Sequence, residues 1–227
     1  MNLIQHYDAM RRTAIDQLQQ HGPSVDPLLD SDQDTRRGIT LVARPPAGIA
    51  ANIAAVLADF HQSEPDQYYY PVSDIHLTVL SIVSCYPGFA LKGIKVADYQ
   101  RTASAIARQA APFDIRFSGL TASPSGVMVQ GVPQDEGLNH LRAETRRLFR
   151  QSGVPQSIDH RYVLQTAHAT VIRFRRGLRD TTAFIQKIEK YKKVDFGVFT
   201  VDALELVYND WYQRAANTVL LGQYSLG

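Results

Sequence analysis

Two short segments of this 227-residue chain place a titratable ring beside a hydroxyl. One is His76-Leu77-Thr78-Val79 and the other is His168-Ala169-Thr170-Val171. The histidines lie 168 − 76 = 92 positions apart. Each copy sits in an apolar, β-branched run, Ser73–Val83 for the first and Thr166–Ile172 for the second, and turn formers such as Pro71, Pro87 and Gly88 bracket the first. Side chains alternate faces along a strand, so His76 and Thr78 share one face and His168 and Thr170 share another. An imidazole titrates near neutral pH, and a threonine hydroxyl donates a hydrogen bond. Two such copies facing one cleft supply a general base, a general acid and two donors for an anionic oxygen. That set suits phosphodiester chemistry without a metal. One copy alone carries little weight, because short patterns arise by chance. The signal is the repetition.

The elements needed to position the two copies also repeat. Residues 2–20 read as a helix, with Ile4, Tyr7, Met10, Ala14 and Leu18 at spacings of three and four, and His21-Gly22-Pro23 stops it. Residues 22–37 form a polar linker. Within it, Asp30-Ser31-Asp32-Gln33-Asp34 starts like a calcium loop but lacks the glycine at the sixth position (Thr35) and the glutamate at the twelfth (Leu41). A strand follows over 38–43, a helix over 48–62, the His76 strand, a helix over 96–111 and a strand over 113–117. The order then restarts. A strand covers 126–132 and a helix 134–151, with Leu138, Leu141, Thr145 and Leu148 inward. The His168 strand comes next, then a helix over 180–190 capped by Asp180 or Thr181, and a strand over 196–207. A last strand over 218–224 pairs with it across a turn holding Asn209-Asp210-Trp211. Gly38 matches Gly126 at an offset of 88, and Phe113 matches Phe196 at 83. The expected architecture is a bilobal α+β fold with pseudo-two-fold duplication. Two mostly antiparallel sheets face a central cleft, with helices outside.

Bulk composition is that of a globular protein, 44% hydrophobic and 20% charged. No apolar run is long enough to span a bilayer, and the N-terminus has no apolar h-region, so no membrane or secretory segment is expected. The single cysteine, Cys85, permits no intrachain disulfide and fits a reducing cytoplasm. Net charge is +2, divided as −2 over residues 1–113 and +4 over residues 114–227. Basic clusters at Arg142, Arg146, Arg147 and Arg150, and at Arg173, Arg175, Arg176 and Arg179, read either as solvated faces or as an electropositive rim for a phosphate-bearing substrate. The balance does not suit a dedicated nucleic-acid binder.

The remaining histidines (His6, His21, His61, His140, His160) fit no metal spacing, and no nucleotide-binding glycine loop or serine-nucleophile motif occurs. Cys85 reads as a small buried residue more readily than as a nucleophile. Tyr68, Tyr69, Tyr70, Tyr86, Phe89, Trp211 and Tyr212 are candidates to stack on a base, and Tyr86 stands out because it has the parity of His76.

On the two H-x-T-x copies and the duplicated element order over roughly residues 38–226, the chain resembles the two-histidine (2H) phosphoesterase superfamily, which includes LigT-like RNA phosphodiesterases. Residues 1–37, a helix and linker, fall outside the resemblance, and residues 38–227 form the two-lobed domain. The resemblance implies catalysis by His76, His168, Thr78 and Thr170 on 2′,3′-cyclic nucleotides or RNA-type phosphodiester ends. It implies no metal; no cofactor is expected, and no obligate protein partner is inferable from the sequence. Two alternatives stay open on the same fold: a nucleotide- or RNA-binding module without chemistry, and an RNA-end ligase or transferase.

Overall fold

The computed structural model describes residues 2–227. Helix α1 (Leu3–His21) starts at Asn2, whose side chain accepts from the Ile4 and Gln5 N–H groups, and ends at Gly22. Its buried stripe is Tyr7, Ala14 and Leu18, while Ile4 at its start is exposed. Strand β1 (Arg36–Ala43), helix α2 (Ala47–Ser63), the short β2 (Tyr68–Tyr69), β3 (Leu77–Pro87), α3 (Val96–Ala107) and β4 (Phe113–Ser123) follow. Then come β5 (Gly126–Pro133), α4 (Gly137–Gln151), β6 (Ala169–Arg173), α5 (Thr181–Lys190), β7 (Asp195–Val201), β8 (Ala203–Asp210) and β9 (Val219–Ser225). Asp180 caps α5 by accepting from the Ala183 N–H at 2.9 Å. Among the described residues no helix is long and apolar enough to cross a membrane.

Two sheets form the fold, and neighbouring strands in both run antiparallel. One sheet has the order β3-β1-β8-β9 and the other β2-β6-β5-β4-β7. Leaving out β2, the two orders superimpose: β3, β1, β8, β9 correspond to β6, β5, β4, β7. The duplication is therefore present, but each half lends strands to the other sheet. The single strand expected over 196–207 is two strands, split at Asp202 and placed in different sheets. No glycine or proline marks the break, and apolar residues flank it on both sides, so the pattern reads as continuous. By sheet position Phe113 in β4 is the counterpart of β8 and not of Phe196 in β7.

The motif strands also depart from simple alternation. Against β1, strand β3 shifts register three times, between Arg37 and Ile39, between Ile39 and Thr40, and between Leu41 and Val42. Each shift inserts a residue into β3. Its half-exposed positions consequently fall at Thr78, Ser81 and Ser84, every third residue. Strand β6 carries the same device against β5, where Val171 is the extra residue between Thr170 and Ile172. Thr170 and Arg173 thereby share a face, as Thr78 and Ser81 do.

Helix α1 lies on β4 and β5 and against α5. Its Tyr7 hydroxyl donates to the Gly131 carbonyl at 3.1 Å and accepts from the Ala167 N–H at 3.0 Å. It thus relays one rung of ladder between β5 and the residue before His168. The Thr121 hydroxyl donates to the Tyr7 carbonyl at 2.9 Å, fixing the helix from below. Gly131 has no alternative here, because a Cβ would stand 1.8 Å from the Ala167 carbonyl oxygen. We expect Gly131→Ala to cost about 1–3 kcal/mol in urea denaturation, as overpacking does. Gly177→Ala, where nothing lies within 4 Å, should change stability little.

Candidate active site

His76 and His168 each stand one residue before a strand begins, not inside it. A single 3-10 turn, Val72–Asp74, delivers the chain to His76. The Asp74 carbonyl lies 2.7 Å from His76 Nδ1, and a carbonyl only accepts, so Nδ1 carries the proton and Nε2 is left over. His168 Nδ1 pairs at 2.7 Å with the Thr166 hydroxyl, which serves either tautomer. Both histidines, Thr78 and Thr170 line one cleft. Ser81, Tyr70, Arg161, Arg173, Trp211 and Gln213 also line it. The cleft has a cavity volume of about 180 Å³ and is partly open to solvent.

Arg142 joins the two motif segments from below. It is buried, and its guanidinium donates to three backbone carbonyls: Val79 at 2.9 Å, Thr78 at 3.0 Å and Thr166 at 2.7 Å. The first two belong to β3 and the third to the lead-in of His168. One planar cation thus sets the spacing between the two copies. Burial lowers its pKa to about 10, with the charge of Arg146 acting in the same direction.

Burial also lowers both imidazoles to about 4. For His76 the bond to the Asp74 carbonyl opposes this, and the charge of Arg44 adds to it. For His168 the charges of Arg173, His76 and Arg142 add to it, so the two rings feel each other. The resting site is a pair of neutral imidazoles under a positive field.

The basic clusters are mostly consumed inside the protein. Arg146 and Arg150 bind the Asp159 carboxylate, Arg147 binds Glu144, Arg175 binds Asp30 and Arg179 binds Asp66. The electropositive rim reduces to Arg161 and Arg173 at the cleft. Arg173 Nε is buried with no hydrogen-bond partner among the described residues. Arg173 belongs to a cluster that the sequence leaves open between a solvated face and an electropositive rim, and it stands five residues after its histidine, as Ser81 does.

Among the aromatic candidates, Tyr70, Trp211 and Tyr212 line the cleft. Tyr86 does not. It is 47% exposed and packs on Phe89 at 5.4 Å between ring centroids, because the bulges in β3 cancel its parity with His76. Tyr162, which no pattern marked, does line the cleft. Burial pushes the Cys85 thiol up to about 12, which leaves it inert as a nucleophile.

Two outcomes follow for the free protein. Arg142→Met leaves three buried carbonyls short of a donor, at about 1–3 kcal/mol each. Urea denaturation should therefore show a loss of roughly 3 kcal/mol or more. Unfolded histidine titrates near pH 6.5. Below that pH the unfolded chain takes up protons that the native imidazoles refuse down to about 4. Stability should therefore fall as pH drops from about 6.5 toward 4, and His168→Asn should flatten that slope relative to the unmodified protein.

No protein-family model matches the chain, and no curated protein matches it in sequence. Solved structures do match in shape. The protein TT0787 of Thermus thermophilus is 19% identical with a TM-score of 0.57, over 83% of this chain and 97% of that one. E. coli LigT complexed with 3′-AMP is 16% identical with a TM-score of 0.56, over 84% and 98%. A protein described as a phosphoesterase is 14% identical with a TM-score of 0.55, also over 84% and 98%. Nearly all of each neighbour is covered, while about a sixth of this chain has no counterpart in it. The chain has the LigT-like fold, the fold that the paired H-x-T-x segments and the duplicated element order imply.

Proposed function

We propose that this chain is a metal-independent phosphoesterase that opens 2′,3′-cyclic nucleotides or related RNA-end phosphodiesters by acid–base catalysis between two histidines. The observation that carries the reading is the convergence of His76, Thr78, His168 and Thr170 on one cleft, at equivalent positions of the two sheets. Neighbours named phosphoesterase and LigT support it.

In this mechanism the cyclic phosphate sits between the two copies. One neutral imidazole takes a proton from water through Nε2. The water oxygen bonds to phosphorus, and one ring P–O bond breaks. The other imidazole, protonated, gives its proton to the departing ribose oxygen, leaving a phosphomonoester. Thr78 and Thr170 donate to the non-bridging oxygens, where charge must be held. The Arg173 guanidinium faces the same charge, and its unpartnered Nε is a donor that a phosphoryl oxygen satisfies.

The reaction needs one imidazole protonated, yet both are depressed in the free protein. An anionic phosphate between them raises the pKa of the nearer ring. The profile of kcat/KM reports the free enzyme and that of kcat the complex. The kcat optimum should therefore lie at higher pH than the kcat/KM optimum. Either His76→Ala or His168→Ala should lower hydrolysis of a 2′,3′-cyclic nucleotide by on the order of 10²–10⁴. Retention of the full rate in both variants would overturn the mechanism. Transfer of the phosphoryl group to a ribose hydroxyl in place of water would identify the ligase or transferase instead.

A further inference from the structure

Among the described residues only two that are not glycine hold a left-handed backbone: Asp159, at φ 61°, and Gln213, at φ 58°. Both line the cleft. Such strain persists only where its surroundings enforce it, and it gathers at ligand sites. Asp159 has its explanation in Arg146 and Arg150, which its carboxylate receives. The Gln213 side chain has no such counterpart among the described residues. It is 6% exposed, and its Oε1 is buried without a hydrogen-bond partner.

The turn that imposes this conformation is a built one. The Asp210 carboxylate is buried and accepts from the N–H groups of Tyr212 at 3.0 Å and Arg214 at 3.1 Å. It also accepts from Asn217 Nδ2 at 2.9 Å, while the Asp210 carbonyl accepts from the Gln213 N–H at 3.2 Å. Just before the turn, Asn209 lines the cleft as well. Its Nδ2 is committed to the Asp210 carbonyl at 2.7 Å, and its Oδ1 is buried and unpartnered. Buried polar atoms in native proteins nearly always have partners. Two carboxamide side chains that line one cleft each keep a buried oxygen with no partner among the described residues, a need that a donor on a ligand meets.

Trp211 carries two guanidinium groups over its ring, Arg36 at 5.2 Å and Arg161 at 4.8 Å from the centroid. Arg161, which lines the cleft and is tethered by donation to the Cys85 carbonyl at 2.7 Å, offers its own plane to a ligand. Planar guanidinium and aromatic surfaces are what a base stacks on. Bare oxygens repel a phosphate, so the anionic end of a ligand belongs with Arg173 and the histidines. A neutral heterocycle with N–H donors belongs here.

We propose that this end of the cleft is a nucleobase subsite in which Gln213 and Asn209 accept from a base bearing an exocyclic amino group, disfavouring uracil. The proposal deepens the phosphodiester reading and rests on it only for the place of the phosphate. Adenine, cytosine and guanine each present an amino donor, whereas uracil presents a single ring N–H and two carbonyl oxygens that would face the bare acceptors.

The test is binding, not turnover. Calorimetry with the 3′-monophosphates of adenosine, guanosine, cytidine and uridine, and with abasic ribose phosphate, should place the amino-bearing nucleotides about tenfold or more tighter than the other two. Gln213→Leu, of similar bulk without polar atoms, should erase most of that gap and spare abasic ribose phosphate, which does not reach it. Gln213→Gly relieves the backbone, so it should melt no lower than the unmodified protein while losing the same discrimination. That pairing excludes misfolding as the cause. Base preference that survives both substitutions, or a loss that falls equally on the abasic ligand, overturns the subsite. Base-selective binding without hydrolysis of any cyclic phosphate would sink the enzymatic reading and leave the subsite standing. No nucleotide binding at all would remove both.

Discussion

A single buried guanidinium ties this molecule together. Among the described residues Arg142 has no carboxylate partner; it spends its donors on carbonyls from the two segments that carry the histidines. Burying an unpaired charge is costly unless polar groups surround it closely. The carbonyls of Thr78, Val79 and Thr166 meet that need only while both segments keep their places. The charge and the alignment of the two copies are therefore one constraint. A lysine offers a point charge and cannot span three acceptors with a rigid plane.

The duplication gains its geometry from exchange and from bulges. Each half contributes strands to the sheet that begins with the other, so neither sheet is complete without the whole chain. Both motif strands gain an extra residue directly after their threonine, at Val79 and at Val171. The bulge turns a period of two into a step of three and brings a third side chain of each strand to the cleft. In one copy that residue is Ser81 and in the other Arg173. The pseudo-symmetric site is thus chemically lopsided: a hydroxyl on one side and a cation on the other.

Much of this was legible in the residues. The helix over 2–20, the helix over 48–62, the cap at Asp180 and the antiparallel two-sheet plan emerged from periodicity and turn formers alone. The pairing of the histidine segments was visible because both copies keep a polar pair inside an apolar run. What stayed hidden shares one cause. Bulges and strand exchange are decided by contacts distant in sequence, so Tyr86 looked like a neighbour of His76 and residues 196–207 looked like one strand. Arg142 reads in sequence as part of a solvated face or of an electropositive rim, and its inward role is hidden because its partners are carbonyls, which carry no signature in sequence. Gln213 was invisible for the same reason, since its backbone angle is imposed by Asp210.

Helix α1 lies far from both histidine segments in sequence, yet its Tyr7 hydroxyl stands between the Gly131 carbonyl of β5 and the Ala167 N–H, one residue before His168. The phenol is fully enclosed, and its burial pushes its pKa up to about 12, so it stays a neutral relay across the physiological range. Helix α1 is thereby a structural part of the second histidine's support, and removing its phenol leaves the Gly131 carbonyl and the Ala167 N–H without their shared partner.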